Sequence, residues 1–394
     1  MRRYRRVLSV AAGFLTCLAA TCAGAAAAPW LGLDYNSGTP NKLLDDPAHV
    51  DDFVADGIVY DRESAEPIAG QTVQPAYPGY SASFARELRA DVAAHMIPDI
   101  EIDLDPELDG NRGCTHEVAG EACLPTTASD VSSYVIGFLA TAGSVLQAYP
   151  RRQVLFEPMD EPWYLAAPAG TPQGYTAAAE YAAVLAQLLP AAREQGIPLR
   201  DIYVPAAGQL GEPGAGTGDG TYWITDLYEA EPCLAPGAGS CVRGAPATPI
   251  AGWNLHPYGL PSSRTEGIGS VPGIRDGMLS GEDNIIVSEI GFCEPDLLDS
   301  SGRNECKQNR ADVDGNGAQV AAWLTQTLVQ AQPMHEAGWL KALIIWNRSG
   351  GGWSMQNLDG TLTAQGQVLV AFAGGPRGPS IAVPPPGDVF GADA

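Results

Sequence analysis

The chain has 394 residues, 22 Lys and Arg against 46 Asp and Glu, and a formal net charge of −24. Its three lysines stand far apart at 42, 307 and 341, so the clustered positive charge that nucleic acid or an anionic membrane requires is missing, and neither is expected as a partner. Neutral ligands suit such a surface, although solubility alone also accounts for the acidity.

The first element in chain order is a targeting segment. MRRYRR is followed by the apolar VLSVAAGFLTCLAA and the small-residue stretch AGAAAAP, the layout of a secretory signal peptide with an A-x-A cleavage site. Its apolar part is short for a bilayer span. The expected division is therefore a signal peptide over 1–28, a folded unit over 29–375 and a Pro/Gly-rich tail without periodicity over 376–394. Removal of 1–28 takes four arginines and no acids, so the remaining charge is 18 minus 46, or −28.

Cys17 and Cys22 leave with the signal, and six cysteines remain: Cys114, Cys123, Cys233, Cys241, Cys293 and Cys306. Export favours disulfides. Six cysteines formally allow fifteen connectivities. Bridging between sequence neighbours, each closing a short loop in a Gly/Pro-rich segment, is the expected one. No CxxC occurs and the five histidines are scattered, which argues against structural zinc.

Short β-rich runs then alternate with longer Ala/Leu-rich helical patterns. Strands are predicted at 30–36 (WLGLDYN), 57–62 (GIVYDR), 96–103 (MIPDIEID), 153–161 (QVLFEPMDE), 201–208 (DIYVPAAG), 250–258 (IAGWNLHPY), 284–292 (NIIVSEIGF) and 340–347 (LKALIIWN). Helical patterns fall between them at 46–57, 81–95, 128–149, 176–196, 221–230, near 270–280, and at 318–338. Thr171-Pro172 reads as a helix start and Gly196 as a C-terminal cap. Eight strand-helix units predict an α/β fold, a closed (β/α)8 barrel. The competing doubly wound sheet would carry a glycine-rich phosphate turn after its first strand; the turn is DYNSGTP, and neither GxGxxG nor a P-loop occurs.

In such a barrel, chemistry sits at the C-terminal ends of the strands. The fourth strand ends in Met159-Asp160-Glu161-Pro162-Trp163 and the seventh in Ser288-Glu289-Ile290-Gly291-Phe292, so each delivers a glutamate where an apolar strand meets its loop. Two carboxylates on nearly opposite staves can flank one glycosidic bond, one protonating the leaving oxygen and the other attacking carbon or activating water.

FEPMDEPW and SEIGF resemble the fourth- and seventh-strand segments of clan A glycoside hydrolases, which carry the acid/base in Asn-Glu-Pro and the nucleophile, respectively. HPY at His256–Tyr258 resembles the sixth-strand segment that faces the catalytic subsite, and Trp346 in IIWN the eighth-strand tryptophan that floors it. Arg62 is similar to the basic residue that supports the nucleophile. The resemblance runs from residue 30 to 347. It implies Glu161 as acid/base, Glu289 as nucleophile, retention of configuration, and substrate binding by Asp160, His256, Tyr258, Trp346 and Arg62, with no cofactor or catalytic metal. The chain departs from the clan at Asp160, where asparagine is usual. An added negative charge there would raise the pKa of Glu161.

Each of these residues also has a structural reading. His256 could be a satisfied core histidine, Tyr258 a buried tyrosine bonded to any carbonyl, and Trp346 barrel core. Glu157, four residues before Glu161, is expected to be a buried partner of an arginine. Glu294 is expected at the rim, and Trp163, Trp223 and Trp353 are candidates for outer subsites. Asp312-Val-Asp314-Gly-Asn316-Gly317 begins like an EF-hand loop, but Trp323 stands where the bidentate glutamate is needed. No GxSxG occurs. The expected protein is a secreted retaining glycoside hydrolase acting on an oligo- or polysaccharide. A transglycosylase on the same scaffold and a non-catalytic glycan-binding barrel are the alternatives.

Overall fold

A computed structural model describes residues 29–35, 57–65, 88–89, 91–102, 128–150, 153–162, 172–207, 220–230, 250–277, 284–292, 317–347, 355, 357 and 361–373. The segments 1–28 and 376–394, the six cysteines, Trp163, Trp353, Glu294 and the 312–316 motif lie outside these residues.

All eight strands form. They are β1 Leu31–Tyr35, β2 Ile58–Ala65, β3 Ile97–Ile102, β4 Leu155–Pro158, β5 Tyr203–Ala207, β6 Gly252–Leu255, β7 Ile285–Ile290 and β8 Leu340–Asn347. They pair in parallel in the order β4-β3-β2-β1-β8-β7-β6-β5. The two edges of this order meet at one parallel bridge, Phe156 with Ile202, so the sheet is a nearly closed barrel. The predicted eight-stranded α/β barrel is thus the observed fold.

Alternation along the strands sorts side chains into two environments. One set fills the lower barrel, where Tyr60, Leu155, Tyr203, Ile286, Ala342 and Ile344 form a buried cluster. Gly32 of β1 belongs to this layer because there is no room for more: a Cβ on it would lie 2.5 Å from Tyr60 Cβ. The other set packs outward on helices. Those described are α1 Ala128–Ala148, α2 Pro172–Glu194, α3 Gly220–Ala230, α4 Gly267–Gly277, α5 Gly317–Glu336 and α6 Ala364–Phe372.

The helices follow their apolar stripes. In α1, Val131, Tyr134, Val135, Phe138, Ala142 and Val145 are buried at three- and four-residue spacing, and Phe138 meets Phe156 of β4 edge-on at 6.1 Å. This helix is apolar and long enough by composition to cross a membrane; its stripe is instead spent on the barrel core. In α2, the Tyr181 hydroxyl donates to the carbonyl of Pro158 at 2.6 Å and pins the end of β4. Trp223 of α3 packs on that Tyr181 ring at 5.8 Å and is 2% exposed. It therefore belongs to the core, which corrects its reading as an outer subsite.

Several expectations shift at the level of boundaries, the sixth strand among them, which spans Gly252–Leu255. The fourth strand ends at Pro158, and Met159 and Glu161 take left-handed backbone angles, φ 79° and 31°; the Met159-Asp160-Glu161 segment is a turn and not strand. The helix near 270–280 runs from Gly267 to Gly277. α6 has no counterpart among the predicted elements. It begins at Thr363, whose side chain accepts the Gly366 amide as an N-cap, and packs beside α5 through Val368, Leu369 and Val370 in the main core.

Candidate active site

The C-terminal mouth of the barrel is organised around one cation. Arg62 on β2 is 2% exposed, and β2 continues three residues beyond it to Ala65, so Arg62 lies inside the mouth and not at its lip. Its Nη1 donates to Asp34 Oδ2 at 2.8 Å and to Glu289 Oε2 at 2.9 Å. Nη2 donates to Asp160 Oδ1 at 2.8 Å and to Glu157 Oε2 at 3.2 Å, and lies 3.0 Å from Glu101 Oε2. Nε completes the fork to Glu157 Oε2 at 3.3 Å.

The register explains why these groups converge. Asp34 stands opposite Arg62, Arg62 opposite Asp99, and Glu101 opposite Glu157 on adjacent strands. The buried arginine partner expected for Glu157 is thus Arg62. Asp34, Glu101 and Asp99 were not among the predicted site residues, because only the inter-strand register brings them together.

Among the described residues, five carboxylates surround this one guanidinium, an excess of negative charge in a buried place. Burial pushes Asp34 up to about 6 against the pull of Arg62. Asp99 is held well above the carboxylate range by burial and by the neighbouring Glu157. Arg62 stays charged, because the carboxylates outweigh the cost of burying it.

Glu289 enters the mouth from β7 through a break in register. Val287 pairs with Leu343 and Ile290 with Ile345, so three steps on β7 face two on β8. This bulge turns two successive side chains, Ser288 and Glu289, toward the lumen, which strict alternation forbids. Glu289 then has a donor on each oxygen: Arg62 on Oε2 and the Tyr258 hydroxyl on Oε1. Burial pushes Glu289 up to about 8; His256 and Arg62 oppose this, and the charges of Glu161 and Asp160 add to it. Tyr258 remains a phenol, held well above its usual range by burial and by Glu289.

Glu161 faces His256. The sixth strand ends at Leu255, and the His256-Pro257-Tyr258 segment turns over the mouth, anchored where Trp323 Nε1 of α5 donates to the Gly259 carbonyl at 2.9 Å. His256 Nδ1 lies 2.7 Å from Glu161 Oε1 and 3.7 Å from Glu289 Oε2. Those two legs sum to 6.4 Å, an upper limit on the separation of the two carboxylate oxygens. His256 Nε2 lies 2.9 Å from Ser288 Oγ.

Asp160 and Trp346 lie at the same mouth. Asp160 is one-third exposed at the edge of the mouth, paired with Arg62. Its extra charge relative to the asparagine of the resembled pattern is met by that guanidinium. Trp346 is half-buried on β8 opposite Asp34. Asp160, His256 and Glu289 offer ligand atoms within 4.8 Å of one another, the span of a metal site. Those atoms already face Arg62 and Glu161, so a cation would compete with the guanidinium.

No protein-family model matches the sequence, and no curated protein matches it. Solved structures do match. The fold is that of known glycoside hydrolases. A family 39 glycoside hydrolase from the gut symbiont Bacteroides cellulosilyticus WH2 superposes with TM-score 0.53 at 17% identity, over 87% of this chain and 63% of that one. The present chain thus spans less than two thirds of that protein. XacCel5A superposes with TM-score 0.53 at 12% identity, over 87% and 98% of the two chains. A family 1 β-glucosidase from Thermotoga maritima gives TM-score 0.51 at 12% identity, over 88% and 98%. Identities this low speak for the fold alone.

Proposed function

We propose that the protein is an exported retaining glycoside hydrolase in which Glu289 is the nucleophile and Glu161 the acid/base. The observation that carries this reading is the approach of Glu161 and Glu289 to the same nitrogen of His256, Nδ1, which puts Glu161 Oε1 and Glu289 Oε2 at most 6.4 Å apart by the 2.7 Å and 3.7 Å contacts. Retention calls for carboxyl groups about 5–5.5 Å apart, inversion for about 6.5–9.5 Å.

The two carboxylates have different hydrogen-bond partners. Glu289 has a donor on each oxygen, which orients it for attack on the anomeric carbon, and the Arg62 charge opposes the burial that raises it to about 8. Glu161 sits against an imidazole that can exchange a proton with it. In the first step Glu289 forms a bond to the anomeric carbon as the glycosidic bond breaks, and the Glu161 proton passes to the departing oxygen. In the second, Glu161 takes a proton from water, whose oxygen displaces Glu289 and releases the sugar.

The ligand is a neutral oligo- or polysaccharide, supported by the acidic surface and by the half-buried Trp346 at the mouth, a stacking face for a sugar ring. Export is supported by the charged, apolar and small-residue layout of 1–28. Trapping with 2-fluoro glycosides followed by peptide mapping tests the assignment. Labelling of the peptide containing Glu289 is expected; labelling of another residue, or none despite demonstrated sugar binding, overturns it.

A further inference from the structure

We propose that Asn254 and Ser288 are positioning residues that fix the tautomer of His256, so that the His256–Glu161 contact always carries the proton the acid must give. The kinetic part of this inference rests on the glycoside hydrolase reading; the structural part does not.

The assignment begins at Glu157. Its Oε2 accepts from Arg62 Nη2 and Nε at 3.2 and 3.3 Å, so it is an acceptor, and the Asn254 group 2.8 Å from it must be the amide nitrogen. The amide oxygen of Asn254 therefore faces β7. There it meets the Ser288 backbone amide at 3.3 Å and Ser288 Oγ at 2.6 Å. An amide oxygen has no hydrogen, so the single hydroxyl proton of Ser288 lies on that 2.6 Å contact.

Ser288 Oγ also lies 2.9 Å from His256 Nε2. With its own proton committed, Oγ can only accept, and Nε2 must donate. His256 thus carries a proton on Nε2. The 2.7 Å contact between Nδ1 and Glu161 Oε1 also needs a hydrogen, and a neutral ring has none left to supply. The pair is therefore either imidazole with carboxylic acid or imidazolium with carboxylate. These two forms differ only in the position of one proton, and both hold the one that Glu161 passes to the leaving group.

Without the relay, a neutral ring could place its single proton on Nδ1 and donate to an ionised Glu161, leaving the acid nothing to give. Asn254 Nδ2, 3.3 Å from Nε2, would then donate to the bare nitrogen. The charged groups facing the ring are Glu161, with Asp160 at 3.9 Å and Glu289 at 3.7 Å from Nδ1, and Arg62 beyond the latter two.

Histidine-selective 15N labelling of the full chain, with His256 assigned through His256→Asn, reads the ring directly. A protonated Nε2 is expected in the wild type across the pH range of folding, and a population with bare Nε2 in Ser288→Ala. A bare Nε2 in the wild type overturns the proposal. In the kinetic arm, the basic limb of the pH–rate profile on a glycoside with a poor leaving group moves down by about one pH unit in Ser288→Ala. Ser288→Thr, which keeps the hydroxyl, restores it, and a dinitrophenyl leaving group, which needs no acid, is hydrolysed with little change. An unmoved limb in a Ser288→Ala protein that melts like the wild type also overturns the proposal. Absence of turnover on any glycoside alongside a protonated Nε2 refutes the enzyme reading and leaves the tautomer assignment standing.

Discussion

Arg62 and Glu289, 227 residues apart in sequence, meet through a 2.9 Å bond from Nη1 to Oε2, and the same Nη1 reaches Asp34 at 2.8 Å. One guanidinium thereby fixes the candidate nucleophile and neutralises part of the buried negative charge beneath it. Arg62→Lys keeps the charge but loses the fork, since an ammonium cannot reach five carboxylates in one plane. The variant is expected to unfold at a lower urea midpoint, with about 3–5 kcal/mol lost, and to fall at least tenfold in kcat/KM. A variant as stable as the wild type would show that the cluster is not held by this residue.

Glu161→Gln and Glu289→Gln are expected to separate by leaving group. The first loses about 10²–10⁴-fold on natural glycosides and much less on dinitrophenyl glycosides, where protonation is unnecessary. The second loses activity on both. Comparing kcat/KM on the two substrate classes checks the assignment of roles.

Asp160→Asn removes a charge that raises Glu289. The acidic limb of the pH–rate profile, where the nucleophile ionises, is expected to move to lower pH. The partner Arg62 would be less fully compensated and would act in the same direction. An acidic limb that stays in place or moves upward contradicts the electrostatic account of the site.

Stability should fall as the solution becomes alkaline. Asp34 is raised from 3.8 to about 6 and Glu289 from 4.5 to about 8. Each therefore binds a proton more tightly in the folded chain than in the unfolded one. Their contribution is fully present below the unfolded values and is lost as pH rises through the folded ones. Thermal midpoints are expected to be highest near pH 4–5 and to decline steadily toward pH 8. A midpoint that rises over that window would show that these carboxylates are ionised in the folded state.

Two glycine substitutions test the packing. Gly32→Ala places a Cβ 2.5 Å from Tyr60 Cβ inside the barrel, and overpacking of this kind costs about 1–3 kcal/mol. Gly143→Ala in α1 meets nothing within 4 Å and should stabilise the helix by about 0.5–1 kcal/mol. Urea midpoints of the two variants should move in opposite directions.

The eight strands were legible because short β-rich runs, apolar in most strands and broken by charged residues in β2 and β3, alternate with longer Ala/Leu-rich helical patterns. α6 was not, since AQGQVLVAF shows neither a wide polar face nor charge; its helical state is set by the Thr363 cap and by packing. Glu161 and Glu289 were legible as acids at strand ends. The Arg62 hub was legible only in part: Glu157 was matched to an arginine, but Asp34 and Glu101 join it through register, which no local pattern encodes. Asn254 and His256 share one face by their spacing of two, a local signal that the sequence carries. Ser288 was hidden for a firmer reason, because alternation assigns it to the face opposite Glu289, and only the bulge overrules that.

In the proposed mechanism, that bulge couples two functions mechanically. Ser288 and Glu289 are joined by a single peptide unit, so the support of the proton donor and the attacking group ride on the same short stretch of β7. A sliding of the strand, or a residue inserted or deleted beside it, disturbs both at once. The site consequently fails as a unit, and a substitution that appears to repair one half of the chemistry must leave the geometry of this peptide untouched.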